Sequence, residues 1–320
     1  MTKRTFPSDR LGPTVVVLGG GHGVAATLRA ARLYAGSVTA VVSVADDGGS
    51  SGRLRAATPD LPAPGDVRRC LVALADDHSA LAQILEHRYG DGDGALAGHA
   101  LGNLLLATLT DELGSFEAAV DEVARLVGAV GRVLPATTVP VTLVGEAVTV
   151  ETDGDDEAVV EVVGQVAVQN SPGISRVTIS PADAPSSDAV RSAILGADQV
   201  VLGPGSLFTS VLAAAVVPAV AEALAETTAQ RVFVANLRPQ VPETEGFLLS
   251  DYLEVLGAHG VPVDVVICQA GQCEDLPEMG PNPMVVERVL IDEATGGHHP
   301  ERLAAALAGL LRSSAFPGVR

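Results

Sequence analysis

The chain contains no tryptophan, and aromatic residues make up only 3% of its 320 positions. Its core must therefore be aliphatic, built from Ala, Val and Leu, and a nucleobase would find few rings to stack on. Basic residues are scarce as well, with 20 Lys plus Arg against 39 Asp plus Glu and a net charge of -19. A nucleic-acid surface needs clustered cations to neutralise phosphates, so no nucleic-acid partner is expected. Any phosphate must be held locally, by glycine amides, helix starts and individual arginines. The three cysteines, Cys70, Cys268 and Cys273, are odd in number and lack a second metal-type pair. They read as small core residues in a reducing cytoplasm. Long apolar runs are missing too. The longest, around Val211 to Ala221, is too short to span a bilayer and is interrupted by Pro218, which predicts a buried helix and no membrane span. Met1 to Gly12 is polar, with no apolar core of signal-peptide length, so a cytoplasmic rather than secreted protein is expected.

What is present is an apolar fraction of 47%, ample for one large core or two modest ones. The stretch Val15 to Arg53 organises it. Val15 to Leu18 is a continuous β-branched and aliphatic run, as a central parallel strand covered by helices on both faces requires. Gly19-Gly20-Gly21-His22-Gly23 then turns the chain into a helix over Val24 to Leu33, whose first N–H groups have no intrahelical partner and form an anion site. A second strand, Val38 to Val44, runs into Ala45-Asp46-Asp47-Gly48-Gly49-Ser50-Ser51-Gly52-Arg53. Side chains at a strand's carboxyl end enter the crevice where open α/β sheets bind ligands, so Asp46, Asp47, Ser50, Ser51 and Arg53 should share a pocket with Gly20, Gly21, His22 and Gly23. Paired carboxylates there suit either a divalent cation such as Mg²⁺ or ribose hydroxyls. The spacing Gly21-x-Gly23-x-x-Ala26, with Asp46 downstream, also fits the dinucleotide fingerprint, and a nicotinamide-dependent enzyme stays open as a reading. A tight turn followed by a hydrated polar loop would share the pattern.

Further along, Asp66 is placed to cap a helix carrying Val67, Leu71 and Leu74 on one face, with Arg68 and Arg69 beside it, one of them within reach of a phosphate. A helix over Ser79 to Arg88 follows. Gly90-Asp91-Gly92-Asp93-Gly94 resembles a calcium loop but lacks the downstream glutamate, and reads as a lid or plain connection. Gly98 to Asn103 leads into an apolar helix from Leu104 to Leu109, where His99 and Asn103 suit hydrogen bonding to a ligand or helix capping equally. A helix over Phe116 to Val127 completes a helical layer. From about 131 to 181 valine and threonine alternate with polar residues between turn signals, which predicts an antiparallel β-meander inserted into one domain spanning 1–320. The α/β pattern resumes with a strand at Gln199 to Leu202 and a second glycine turn, Gly203 to Ser210. There the amides around Gly205, with Ser206, Thr209 and Ser210, are placed for a second phosphate or the far end of the same ligand. Arg231 to Asn236 forms a third strand with a polar end, Asn236 to Gly246. The fold class is α/β, Rossmann-like and doubly wound, with a mostly parallel sheet. His298-His299-Pro300 opens the last helix, and the paired histidines read as a surface helix entrance rather than a metal site.

Gly19-Gly-Gly-His-Gly23, Val44-Ala-Asp-Asp-Gly-Gly-Ser-Ser-Gly-Arg53, Pro64-Gly-Asp-Val-Arg68, His99-Ala-Leu-Gly-Asn-Leu-Leu-Leu106 and Gly203-Pro-Gly-Ser-Leu-Phe-Thr-Ser210 occur in the order found in YvcK-like gluconeogenesis factors of the CofD-like superfamily, which this chain resembles along nearly its whole length. It departs from them at His22, where Thr is usual, and at Phe208 and Phe247, where Tyr is common. The resemblance implies a cytoplasmic regulator that binds a nucleotide sugar, with UDP-N-acetylglucosamine the leading candidate. Such a protein supports cell shape and cell-wall synthesis during gluconeogenic growth; a homo-oligomer and an unidentified regulatory protein partner are expected beside it. On this reading the diphosphate lies on Gly20 to Gly23, with the uridine and sugar held by Asn103, Ser206, Asn236 and Gln240. Superfamily relatives are 2-phospho-L-lactate transferases with magnesium on an aspartate corresponding to Asp46 or Asp47, and a Mg-dependent transferase is the alternative, with these two as catalytic candidates.

Overall fold

The computed structural model describes residues 11–150, 157–273 and 283–314. Strands β1 (Thr14–Gly19), β2 (Ser37–Val42) and β3 (Arg132–Pro135) form one half of a parallel sheet. β4 (Thr142–Val150), β5 (Glu157–Val163) and β6 (Ile174–Ser180) pair antiparallel as a separate sheet in the order β5-β4-β6. β7 (Gln199–Leu202), β8 (Gln230–Val234), β9 (Val265–Gln269) and β10 (Met284–Arg288) complete the main sheet, ordered β10-β9-β8-β7-β1-β2-β3. The chain thus builds outward from β1 in one direction and from β7 in the other. The crevice between the carboxyl ends of those two strands is the topological switch point.

Val15, Val16, Val17 and Leu18 are entirely buried, because β1 is central and helices cover both faces. The helix α1 (Gly21–Ala31) lies over β1 and packs on α3 (Gly65–Leu74) and on the last helix, Pro300–Ser314. In the chain, β2 is followed by α2 (Gly49–Ala57), which begins inside the Gly48-Gly49-Ser50-Ser51 segment. The sequence predicts a loop there, since glycine and serine are poor helix formers. Tertiary burial of Ser50 and Ser51 overrides that propensity. Next come α4 (Ala80–Leu85), capped by Ser79, and α5 (Leu101–Leu113), which starts three residues earlier than its apolar run suggests and so takes Asn103 into its first turn.

Three further expectations need correction. The β-rich stretch is not uniform: Arg132–Pro135 is the edge strand of the parallel sheet, and the antiparallel insertion runs from Thr142 to Ser180. Period-2 alternation cannot tell a short edge strand from the first strand of a meander. The predicted helix around Val211 to Ala221 is broken into Leu207–Ala215 and Pro218–Glu226, which meet at 78°. Pro218 starts the second piece, where its missing N–H costs nothing. Among the described residues no single helix is long and apolar enough to cross a membrane. Two of the three cysteines depart from isolated core residues, because Cys268 at the end of β9 is disulfide-bonded to Cys273, while Cys70 is buried alone in α3.

Candidate functional site

A cavity of about 360 Å³ opens at the switch point. It is of the size that binds small ligands. Its floor is the first glycine turn. Gly21 has φ +71, and a Cβ on Gly23 would lie 2.2 Å from the carbonyl oxygen of Pro204, so the turns after β1 and β7 touch backbone to backbone. Gly20 precedes α1 in extended conformation and no side chain caps the helix. Its leading amides, at Gly21, His22 and Gly23, therefore belong to the cavity wall.

The other walls come from separate elements. Asp46, Ser50 and Ser51 contribute from the end of β2 and the start of α2, Asn103 from α5, Gly205 and Ser206 from the second turn, and Gln240 from the segment after β8. All of these were expected from the sequence. Asp47, Arg53 and Asn236 are not among the lining residues, and each has an identifiable task. Asp47 follows Asp46 in extended chain and so points away from it, accepting from the Val166 amide at 2.9 Å and tying the insertion to this loop. Arg53 donates to the Ala97 carbonyl at 2.6 Å. Asn236 accepts from the Gly205 amide at 2.9 Å and donates to the Gly205 carbonyl at 2.8 Å, fixing the second turn from behind.

The expectation that the second turn offers free amides also changes. Glu243, only 2% exposed, accepts from the Phe208 amide at 2.9 Å, the Thr209 amide at 3.3 Å and the Ser206 hydroxyl at 2.7 Å. A side chain thus fills the anion nest at Leu207–Leu212, and only the first turn keeps its helix start for a ligand. Burial pushes the Glu243 carboxyl up, while the Ser206, Phe208 and Thr209 hydrogen bonds hold it down.

Lysine is nearly absent, with Lys3 the only one in the sequence. Arg68, Arg69 and Arg88 reach the cavity instead. Arg69 is paired with Asp66 at 2.6 Å. Arg68, 1% exposed, donates to Asn103 Oδ1 at 3.0 Å and bonds Glu86. Asn103 in turn donates from Nδ2 to Ser50 Oγ at 3.1 Å, and Ser50 Oγ lies 3.0 Å from His99 Nδ1. Arg68 thereby fixes which end of the Asn103 amide faces Ser50. His22 has its pKa lowered, by burial first and then by Arg69, so it presents a neutral ring at pH 7.

Burial pushes the Asp66 carboxyl up to about 6, with Asp46 adding to the rise and Arg69 opposing it. Asp46 and Asp66 both line the cavity, so the acid pair facing a ligand is not Asp46 with Asp47. These carboxylates, with the Ser50 and Ser51 hydroxyls, are the hard oxygen donors that suit Mg²⁺. Sequence reading missed Arg88, Gln165 and Gln169 at the site. The two glutamines sit four residues apart on the short helix Gln165–Gln169 of the insertion, which overhangs the cavity. Their i, i+4 spacing was the available signal.

A family model described as 2-phospho-L-lactate transferase CofD matches residues 15–293. The chain belongs to the CofD family. Within it, a Halalkalibacterium halodurans protein named gluconeogenesis factor is 39% identical over 282 residues, covering 87% of this chain and 84% of that one. A Mycobacterium tuberculosis protein that carries the same name provisionally is 45% identical over 310 residues, covering 92% and 90%. The crystal structure of a UPF0052 family member from Bacillus halodurans superposes with a TM-score of 0.82 at 33% identity, over 93% of this chain and 99% of that one. This CofD-family chain is thus similar, over most of its length, to proteins named gluconeogenesis factors.

Proposed function

We propose that this protein is a nucleotide-sugar-binding regulator of the gluconeogenesis-factor type, with UDP-N-acetylglucosamine as its ligand and cell-wall synthesis and cell shape under gluconeogenic growth as its output. One observation carries the reading: the uncapped start of α1 lines the same cavity as Asn103, Ser206 and Gln240. Amides without lysine suit a diphosphate diester, whose charge is spread and fixed, and the amide and hydroxyl side chains suit sugar and base edges. Calorimetric titration of the purified protein with UDP-N-acetylglucosamine should give saturable binding. Gly21→Asp, which puts a carboxylate where the diphosphate sits, should abolish it. The absence of any signal with the wild-type protein overturns the proposal.

A second reading, a transferase of the kind the family description names, is favoured by Asp46 and Asp66 facing one cavity. When bound there, Mg²⁺ would neutralise the phosphates of a nucleotide-activated donor. The chain's own part would be orientation, with α1 amides and Arg69 on the phosphates and Asn103 and Ser50 on the transferred group. Mg-dependent release of nucleoside monophosphate from a nucleotide-lactyl donor, lost in Asp46→Asn, would support it. Equal turnover by Asp46→Asn would remove the proposed role.

A further inference from the structure

Away from this cavity, β9 and β10 bring together a second set of chemically capable groups. Cys268 and Glu287 are register partners on these adjacent parallel strands. The turn after β9, closed by the Gln272 amide on the Gln269 carbonyl at 3.1 Å, returns Cys273 to Cys268. One ligating atom from each of Cys268, Cys273 and Glu287 lies within 4.8 Å of the other two. Cys268 and Cys273 also line a pocket of about 170 Å³ shared with Asn236, Phe247 and Tyr252. Side chains fix the frame around them. Gln269 Oε1 accepts from the Leu290 and Ile291 amides at 2.8 and 3.1 Å, and Gln272 Nε2 donates to the Leu237 carbonyl at 2.6 Å.

We propose that Cys268, Cys273 and Glu287 form a binding site for a soft divalent cation of the zinc class when the disulfide is reduced. A dithiol reductant passes two electrons to the Cys268–Cys273 bond and two protons complete the thiols. Metal binding then releases those two protons as the thiolates coordinate. Two thiolates and one carboxylate satisfy three tetrahedral positions, and the neighbouring pocket leaves the fourth to water or a small ligand. Sulfur selects zinc over magnesium, so this site and the oxygen-lined cavity draw on different ions. The pocket also explains a use for its location: Asn236, on its wall, holds Gly205 at the rim of the main cavity.

Cobalt(II) titrated anaerobically into the reduced, full-length protein is the probe. The proposal expects one equivalent bound, with sulfur-to-metal charge-transfer absorption and the intense visible bands of a tetrahedral site, displaced by one equivalent of zinc. Cys273→Ser, at a half-buried position that a serine fits, should lose at least half of the charge-transfer intensity, since one thiolate at most remains. Glu287→Gln, at an exposed position, should keep the band with affinity reduced at least tenfold. Protein that has not been reduced should show no sulfur-to-cobalt band until the reductant is added. Absence of the sulfur band in reduced wild-type protein, or an equal band in a folded Cys273→Ser variant, overturns the site. Cobalt bound with only oxygen-type spectra also overturns it. None of these readouts involves the nucleotide, so failure here leaves the proposed function standing, and the reverse.

Discussion

Gly23→Ala tests the packing of the two glycine turns. The added Cβ would stand 2.2 Å from the Pro204 carbonyl oxygen, 2.6 Å from its carbon and 2.9 Å from the Gly205 nitrogen. A carbon and a carbonyl oxygen approach comfortably at about 3.3 Å, so the turns must part by about 1 Å. All three obstacles are backbone, and no rotamer change can relieve them. Overpacking of this kind costs about 1–3 kcal/mol. In a domain this large each kcal/mol lowers Tm by about 2 °C, which predicts a fall of about 2–6 °C. The same 1 Å separates the α1 amides from Ser206 across the cavity, and UDP-N-acetylglucosamine affinity should drop at least tenfold. Differential scanning fluorimetry and calorimetric titration measure the two effects. Gly257→Ala is the matched control, since a Cβ there meets nothing within 4 Å and the position lies inside the helix Leu249–Ala258. It should stabilise by about 0.5–1 kcal/mol and leave binding unchanged. If Gly23→Ala has the wild-type Tm and affinity, the contact between the turns does not exist as described and the reasoning is refuted.

Other expectations follow from the polar network. Asp66 keeps its proton to about pH 6 in the folded protein against an ordinary value of 3.8, so the native state binds more protons than the unfolded chain between those limits. Its contribution to stability therefore falls as pH rises through about 4 to 6, by on the order of 3 kcal/mol, and Asp66→Asn should flatten that slope in pH-dependent denaturant melts. The same protonation removes a negative charge from the cavity, so metal-free nucleotide-sugar affinity should rise from pH 7 to pH 5.5 in wild type and hold constant in Asp66→Asn. Glu243→Ala strips the Phe208 and Thr209 amides of a buried acceptor and should cost about 2–3 kcal/mol in chemical denaturation, with an unchanged midpoint counting against the nest. Arg68→Leu should leave Asn103 free to flip and weaken ligand binding more than Lys substitution at exposed Arg29, a difference read by titration of the two variants.

The sequence by itself determined the central strand, the glycine turns and most residues of the cavity. An unbroken aliphatic run such as Val15 to Leu18 is soluble only when covered on both faces, and a glycine run before a helix creates unpaired amides whatever lies beyond it. Local pattern also placed Asp46, Ser50 and Asn103 at element ends, where loops of an α/β sheet face one rim. Which side chain of a neighbouring pair faces inward was decided only in three dimensions. Asp46 turns to the cavity and Asp47 to Val166 because successive residues of an extended chain point oppositely, and only the position of the insertion shows which direction is the ligand's. The pairing of Glu243 with Ser206, 37 residues away, closed a nest that looked open in one dimension. The helix α2 formed against its own propensity because Ser50 is buried against the start of α5 and Ser51 against Gly65 at the start of α3. Long-range burial and hydrogen bonding carry no local signature, so tertiary structure alone could assign Asp66 to the site and Asp47, Arg53 and Asn236 to its support, and only it shows that the face shared by Gln165 and Gln169 meets the cavity.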